Sequence, residues 1–228
     1  MKEWEALSQK EPERAEKLKE PVELLKSWDC ISTVDSIAMT VFAEAYDRAT
    51  KMIAKRDVQN YPRIRALEAT LENLQKSQGT WKVAWGDVNR LQRIPGWEID
   101  MQGHGAFRDD RPSLPVAGAP GSLGIVFNFY ALPQDGQKRR YGVAGHSFVA
   151  AVELAAEPKI KTILQFGESG DPASPHWFDQ AALYAKKQFK PAWYAQTDVE
   201  AHSNCHYHPG EQGVAGKPAA HSNGQAGK

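Results

Sequence analysis

Residues 166 to 180, FGESGDPASPHWFDQ, hold the densest group of side chains that could do chemistry. Two serines, two aspartates, one glutamate and one histidine stand within these fifteen residues. Ser169, His176 and Asp179 are the residue types of a Ser-His-Asp relay, in which an imidazole activates a serine hydroxyl. The spacing falls short of a nucleophile elbow, because that motif reads G-x-S-x-G and this chain reads G-x-S-G.

The same run also has the composition of a rigid turn. Pro172 and Pro175 each fix φ and remove one backbone donor. Short polar side chains in such a run commonly bond to the neighbouring backbone, and Asp179 stands where it could cap a following helix. The residues favour this structural interpretation and leave the catalytic one open for Ser169 and His176.

Two other groups of residues could carry chemistry. Self-cleavage between Gly121 and Ser122 would free a serine as an N-terminal nucleophile, but the run APGSLG is more typical of a loop before a strand. The run HSNCHYH contains the residue types that bind zinc or copper. Its candidate ligands are His202, Cys205, His206 and His208. Because no second group of ligands stands at a usual spacing, we predict no metal and no cofactor in this chain.

The composition excludes several classes of function. Of 228 residues, 41% are hydrophobic, and 28 basic side chains balance 28 acidic ones. A chain without net charge or a basic run is not a general binder of nucleic acids or membrane surfaces. The start of the chain is charged and lacks the apolar core of a signal peptide, and no apolar run reaches the ~18 residues of a membrane helix. The compartment remains open, because it depends on whether Met1 is the true start.

The pattern of apolar residues predicts an α+β fold. Helical spacing runs from Pro21 to about Gly79: Ser32 and Asp35 have the spacing of a capping box, Pro62 opens a helix and Gly79 ends it. After an irregular segment, strands are predicted at GIVFNFYAL, SFVAAVEL and IKTILQFG, with PQDGQKRR joining the first two. FDQAALYAKKQFKPAW then reads as a helix. The order is helices first, then strands, then a short helix.

The chain divides into three parts by composition. Residues 1–20 are a charged lead-in, read either as a solvated helix or as an unanchored segment. Residues 21–209 form one domain, in which the Gly- and Pro-rich stretch 96–124 would be hard to stabilise without a partner surface. Residues 210–228 are small and polar, which predicts a disordered tail.

A series of motifs gives the chain a family resemblance. In order they are LLKSWD, DSIAMTVFAEAYDRA, WGDVNR, GSLGIVFNFY, GHSFVAAVEL and GESGDPASPHWFDQAALYAKKQFKPAW. From about Val22 to Trp193 they resemble the C-terminal part of the β chain of the penicillin acylase (penicillin amidase) family. That family includes acylases of acyl-homoserine lactones and of lipopeptide antibiotics, and the acyl-homoserine-lactone branch is the most similar. The most specific piece is the block G-[EQ]-S-G-D-P-x-S-P-H-[WYF]-x-D-Q.

The resemblance implies an N-terminal-nucleophile hydrolase with two β-sheets between helices, the αββα fold. Such an enzyme cleaves a linear amide of an N-acyl compound, such as a β-lactam or an acyl-homoserine lactone. The serine at the start of the β chain attacks, its own α-amino group is the base, and an asparagine with backbone amides holds the oxyanion. The resemblance also implies an α chain, a calcium ion and a periplasmic or secreted location for the complete protein.

This sequence departs from the family pattern in its catalytic motif. The nucleophile of the family opens a motif resembling G-S-N-x-W, and these 228 residues contain no such motif. We therefore assign no catalytic residue here, and Ser169 and His176 become parts of a structural turn. The expectation is a C-terminal fragment whose partners are the missing part of the β chain and the α chain. The alternative is a non-catalytic scaffold or a partner-dependent relic.

Overall fold

The computed structural model describes residues 2–95, 107–123, 127–133, 136–203, 205–206 and 214–215. Its helices are α1 (Lys2–Lys10), α2 (Pro12–Ser27), α3 (Ile37–Ala54), α4 (Pro62–Gln78), α5 (Trp85–Val88), α6 (Ala181–Ala185) and α7 (Gln196–His202). Its strands are β1 (Asn89–Leu91), β2 (Leu114–Pro115), β3 (Phe129–Pro133), β4 (Arg140–Gly145), β5 (Phe148–Glu153), β6 (Lys159–Leu164), β7 (Lys190–Ala192), β8 (Cys205–His206) and β9 (Val214–Ala215). The order confirms an α+β chain with helices before strands.

The chain forms two compact units. The first contains Met1–Ser147 and Leu164–Lys187, and the second contains Phe148–Ile163 and Gln188–Lys228. The predicted single span 21–209 therefore crosses both units. No helix in the described ranges is both long enough and apolar enough to cross a membrane.

Helices α1 and α2 pack into the core of the first unit. Leu7 is fully buried and Leu18 nearly so, although most of their neighbours are charged and exposed. Arg14 holds Glu68 of helix α4 through two hydrogen bonds of 2.6 and 2.7 Å. The structure thus differs from an unanchored lead-in, because a narrow apolar stripe is enough to bury one side of an otherwise charged helix.

The ends of helices α3 and α4 have identifiable caps. Gly79 ends α4 at φ +81°, as the sequence predicts, because a glycine adopts this left-handed conformation without steric cost. The predicted capping box at Ser32 and Asp35 is wrong. The cap of α3 is Ser36, whose hydroxyl accepts the Met39 N–H at 3.1 Å.

The first unit contains a four-stranded sheet in the order β2-β1-β4-β3. Strand β1 runs parallel to β4 and antiparallel to β2, and β3 and β4 form an antiparallel pair. The sequence interpretation missed β4, since it placed only a turn between the runs that contain β3 and β5. The run RYGVAG of β4 breaks strict alternation with small residues, which hid its strand character.

The second unit contains a three-stranded sheet in the order β5-β6-β7 and the short β8-β9 pair. The sequence predicted a helix up to Pro191, but helix α6 ends at Ala185, and Pro191 lies in strand β7. Lys187 follows α6 with a positive φ of +56°, which marks the turn out of the helix. Of the predicted disordered tail, only Val214–Ala215 lies within the described residues.

A buried motif joins the helices to the first sheet. The indole of Trp85 is 1% exposed and donates to the Gly118 carbonyl at 2.7 Å. The Asn89 side chain donates to the Val116 carbonyl at 2.7 Å, and the Asn89 carbonyl accepts the Val116 N–H at 3.1 Å. WGDVNR therefore binds the edge segment around β2 through hydrogen bonds that are shielded from water.

Close packing at Gly86 leads to the first prediction. A Cβ at Gly86 would lie 2.9 Å from the Cβ atoms of both Pro115 and Val34. We expect Gly86→Ala to lower the free energy of unfolding by about 1 to 3 kcal/mol, because the backbone must move apart to make room. The measurement is urea unfolding followed by tryptophan fluorescence. Gly170→Ala is the matched control, since a Cβ there meets nothing within 4 Å, and an equal loss in both variants would contradict the prediction.

Candidate functional site

The loop of residues 166–180 is held by its own backbone. The Ser169 N–H donates to the His176 carbonyl at 3.1 Å, which closes the loop at its base. Within it, the N–H of Ser174 donates to the Asp171 carbonyl, and the N–H of Trp177 donates to the Ser174 carbonyl, both at 3.0 Å. Two successive tight turns therefore account for the polar residues and prolines of this sequence.

The side chains of this loop mostly bond to nearby backbone. The Ser169 hydroxyl accepts the Asp171 N–H at 3.0 Å, and the Asp171 carboxylate accepts the Ala173 N–H at 2.9 Å. The Ser174 hydroxyl accepts the His176 N–H at 3.2 Å. Side chains that satisfy their own turn in this way stabilise one loop conformation.

The structure places Ser169 and His176 in the same loop but in different contacts. His176 Nδ1 lies 2.8 Å from Asp179 Oδ2, in an exposed pair. Among the hydrogen bonds of the described residues, none joins the Ser169 hydroxyl to the imidazole. A nucleophilic serine needs a base within about 3 Å, and this arrangement has only the histidine–carboxylate half of a relay. That neither residue is catalytic stays a prediction.

Gln180 fastens the end of the loop to its start. Its buried side chain accepts the Leu164 N–H at 3.1 Å and donates to Glu168 at 3.1 Å, and its own N–H donates to the Phe166 carbonyl at 2.8 Å. Gly167 permits this closure, since a Cβ there would overlap the His176 carbonyl oxygen. The loop thus leads directly into helix α6.

Arg93, which is not part of the loop, contacts it through its guanidinium group. This residue follows strand β1, and its guanidinium donates to the Trp177 carbonyl. The guanidinium carbon lies 3.4 Å from the centre of the Trp177 ring and 5.0 Å from that of Phe166. Burial lowers the pKa of Arg93, but the side chain stays protonated at neutral pH. A planar cation over aromatic rings gives directional packing.

A cavity of about 380 Å³ lies beside Arg93. Its walls come from the end of β1, from β4 and from the loop, and they include Ile94, Phe107, Val143 and Phe166. Gln92 also lines it. The side-chain oxygen of Gln92 accepts the Arg108 N–H at 3.0 Å, and its side-chain nitrogen donates to the Arg108 carbonyl at 3.0 Å. Arg93 is the only charged residue among the described lining, so the cavity offers apolar surface with one fixed cation.

Ser122, the other candidate nucleophile, lies in a separate place. It is exposed in a turn of 3-10 helix, Gly121–Leu123, whose first N–H donates to the Asn128 side chain at 2.9 Å. It lines a cavity of about 520 Å³ together with Glu44 and Arg140, which form a 2.8 Å ion pair. The turn precedes strand β3, which agrees with the prediction of a loop before a strand.

The candidate metal ligands are only partly placed. His202 ends helix α7, where its Nδ1 lies 2.8 Å from the Asp198 carbonyl and its ring stacks on Trp193 at 4.0 Å. The backbones of Cys205 and His206 form strand β8, while their side chains and His208 lie outside the described part of the chain. Within that part, no three His, Cys, Asp or Glu side chains are grouped to hold a metal ion.

Sequence reasoning missed Arg93 and Gln180 as the residues that fix the loop. Gln180 closes the loop block and is visible in the motif, but only its buried hydrogen bonds reveal its role. Arg93 lies more than eighty residues before Trp177, and no spacing rule links two such distant positions. The aromatic residues Phe166 and Trp177 were the signal in the sequence that could have indicated a stacked cation.

The side-chain hydrogen bonds of Gln180 give a second prediction. Gln180→Ala should lower the free energy of unfolding by about 1 to 3 kcal/mol, because it leaves the Leu164 N–H without its partner. It should also open the loop, which limited proteolysis would detect as faster cleavage between residues 166 and 180. Gln196→Ala is the control, since that amide makes an exposed i,i+4 contact with Glu200. Unchanged cleavage in the Gln180 variant would show that the hydrogen bonds of this side chain do not hold the loop.

The stacked guanidinium gives a third prediction. Arg93→Lys keeps the charge but loses the planar group, so it should cost about 1 to 2 kcal/mol of unfolding free energy. Thermal unfolding monitored by near-UV circular dichroism is the measurement, because Trp177 reports on this contact. Arg108→Lys, at an exposed pair with Asp110, should change little. A smaller effect at Arg93 than at Arg108 would refute the stacking argument.

Comparison with known proteins identifies the family of this chain. The family model described as Penicillin amidase matches residues 2–201. The acyl-homoserine lactone acylase PvdQ of Pseudomonas fluorescens strain Pf0-1 is 25% identical over 206 residues, which cover 81% of this chain and 24% of the relative. PvdQ of strain Pf-5 is 30% identical over 120 residues, which are 52% of this chain and 13% of the relative.

An acylase with a different name also matches. The aculeacin-A acylase of Actinoplanes utahensis is 34% identical over 93 residues, which are 40% of this chain and 12% of that protein. The chain thus spans between about an eighth and a quarter of these relatives. The family model covers almost all of the described residues, including the loop and the second unit up to residue 201. The chain belongs to the penicillin amidase family.

Proposed function

We propose that this chain is the C-terminal part of a penicillin-acylase-type amide hydrolase. The observation that carries the proposal is the family match over residues 2–201, combined with relatives of which the chain spans at most 24%. The loop geometry supports the same conclusion, because Ser169 and His176 stand in a turn that satisfies itself. In this proposal the chain is a framework of the enzyme, and its reactive serine lies in another part.

The chemistry proposed for the whole enzyme follows from the resemblance. The N-terminal serine hydroxyl attacks the carbonyl of a linear amide, and its α-amino group takes the proton and passes it to the leaving amine. Water then cleaves the acyl ester, which releases the acid and restores the serine. Oxyanion donors stabilise the tetrahedral states of both steps. None of these groups is assigned to a residue of this chain.

The substrate class is proposed from the names of the matched relatives. Several matched relatives are named acyl-homoserine lactone acylases and another an aculeacin-A acylase. We therefore propose an N-acyl compound as the substrate, with acyl-homoserine lactones the first choice. The αββα fold, the α chain, a calcium ion and an exported location belong to this proposal for the complete protein.

Two measurements test the proposal. The reading frame upstream of Met1 should continue through a motif resembling G-S-N-x-W. The 228-residue chain alone should not hydrolyse a chromogenic acyl amide above the buffer rate, whereas the polypeptide from the whole frame should. In that polypeptide, replacing the serine of the upstream motif by alanine should lower kcat by at least about a thousandfold.

Substitutions in this chain provide the controls. Ser122→Ala and Ser169→Ala in the whole polypeptide should leave kcat/KM within about threefold, since neither residue contacts the reacting atoms in the proposal. Cleavage by the isolated chain that is lost on Ser169→Ala would instead establish a free-standing hydrolase. If a stop codon lies directly upstream of Met1 and the 228-residue chain cleaves no amide, the scaffold or relic alternative is favoured.

A further inference from the structure

Strand β5 has the composition of a strand that is covered on both sides. Its sequence FVAAVE is apolar at five of six positions, and Leu154 follows. A sheet with one face in water alternates apolar and polar residues, while a continuous apolar run is typical of a strand buried on both faces. The sequence of β5 thus predicts neighbours above and below it.

The structure leaves this strand exposed. Phe148 is 56% exposed, Val152 is 50% exposed and Leu154 is 90% exposed. Because alternate side chains share a face, these three residues and Ala150 form one apolar stripe. An apolar stripe in water is unfavourable by about 25 cal/mol for each Å² that burial would remove. A surface of this kind marks an interaction site.

The backbone edge of β5 is equally open. The sheet order β5-β6-β7 places β5 at one edge, so among the described strands only β6 pairs with it. Exposed edges are normally protected by lysine or proline, which prevent another strand from adding. The opposite edge strand, β7, has this protection in Lys190 and Pro191. Within the strand itself β5 has no lysine and no proline, so the two edges of one sheet differ in their protection.

We propose that β5 is a docking edge for a β-strand from the rest of an acylase polypeptide. This inference rests on the proposed function, since it requires that such a remainder exists. Its occupant is argued from length: the match covers 24% of the Pf0-1 relative, which leaves 76% of that protein outside it. An added strand would pair with the free edge, and the segment that carries it would cover the stripe of Phe148, Val152 and Leu154.

The experiment compares β5 in two settings by amide hydrogen exchange. One sample is the purified 228-residue chain, and the other is the polypeptide expressed from the whole reading frame that contains it. Peptides that cover residues 148–153 should exchange at least about tenfold more slowly in the whole polypeptide, because the edge amides become paired. Peptides from helix α4 should exchange similarly in both, since Leu67 and Leu74 are already buried.

Two lysine variants separate the docking edge from a general surface effect. Val152→Lys in the whole polypeptide should restore fast exchange of β5 by at least about tenfold, because a lysine on the stripe opposes strand addition. Val199→Lys is the matched control, since this valine is 40% exposed on helix α7 of the same unit. Equal effects of the two variants would overturn the inference.

The outcomes distinguish this inference from the proposed function. A whole polypeptide that cleaves amides while β5 exchanges as fast as in the isolated chain would overturn the inference alone. A reading frame that holds only the 228-residue chain would overturn both, because no occupant would exist. If the isolated chain forms a dimer that protects β5 and loses the protection on dilution, the occupant is a second copy and the inference is wrong.

Discussion

The hydrogen bond from the Trp85 indole to the Gly118 carbonyl is the contact on which the arrangement of the first unit depends. The indole is 1% exposed, so this carbonyl has no access to water as an alternative partner. The neighbouring glycine, Gly86, allows the backbone to approach Val34 and Pro115 closely. Helices, edge strand and central strand therefore meet at one point. From there β1 continues to Arg93, whose position decides where the loop of residues 166–180 is held.

The loop itself shows how polar residues can stabilise a turn through their own side chains. Its serine hydroxyls and the Asp171 carboxylate accept backbone N–H groups within the turns, and its glutamine is buried. The Ser169 hydroxyl accepts the Asp171 N–H within the turn, and a catalytic serine would also need a base directed at it. A dense cluster of Ser, His and Asp in a sequence is thus compatible with a rigid corner that closes a fold.

The two units contribute different things to the proposed enzyme. In the first, buried hydrogen bonds and aromatic stacking on Arg93 fix the family's loop. In the second, the sheet has one protected edge and one open edge, and its apolar stripe lies in water. Marginal stability follows from such exposure, because burial of apolar surface is the main favourable contribution to folding. In the proposed docking, the second unit is the one that would gain buried apolar surface from the remainder of the polypeptide.

The sequence by itself determined the α+β order, the cap of helix α4 at Gly79 and the turn character of residues 166–180. Each depends on neighbouring residues: a glycine that tolerates positive φ, prolines that remove donors, and the spacing of apolar side chains. The motifs also determined the family. They did not reveal strand β4, the Ser36 cap or the early end of helix α6, because small residues and alternative caps leave local preferences nearly equal.

Only the tertiary structure decided which distant residues meet. Arg93 reaches Trp177 across 84 positions, Glu44 pairs with Arg140 across 96, and Trp85 finds a carbonyl 33 residues away. Each contact depends on strand pairing and helix packing rather than on neighbouring sequence, so no local pattern encodes it. The same holds for the open edge of β5, since its apolar sequence predicts burial and only the fold shows that the described part of the chain leaves it exposed.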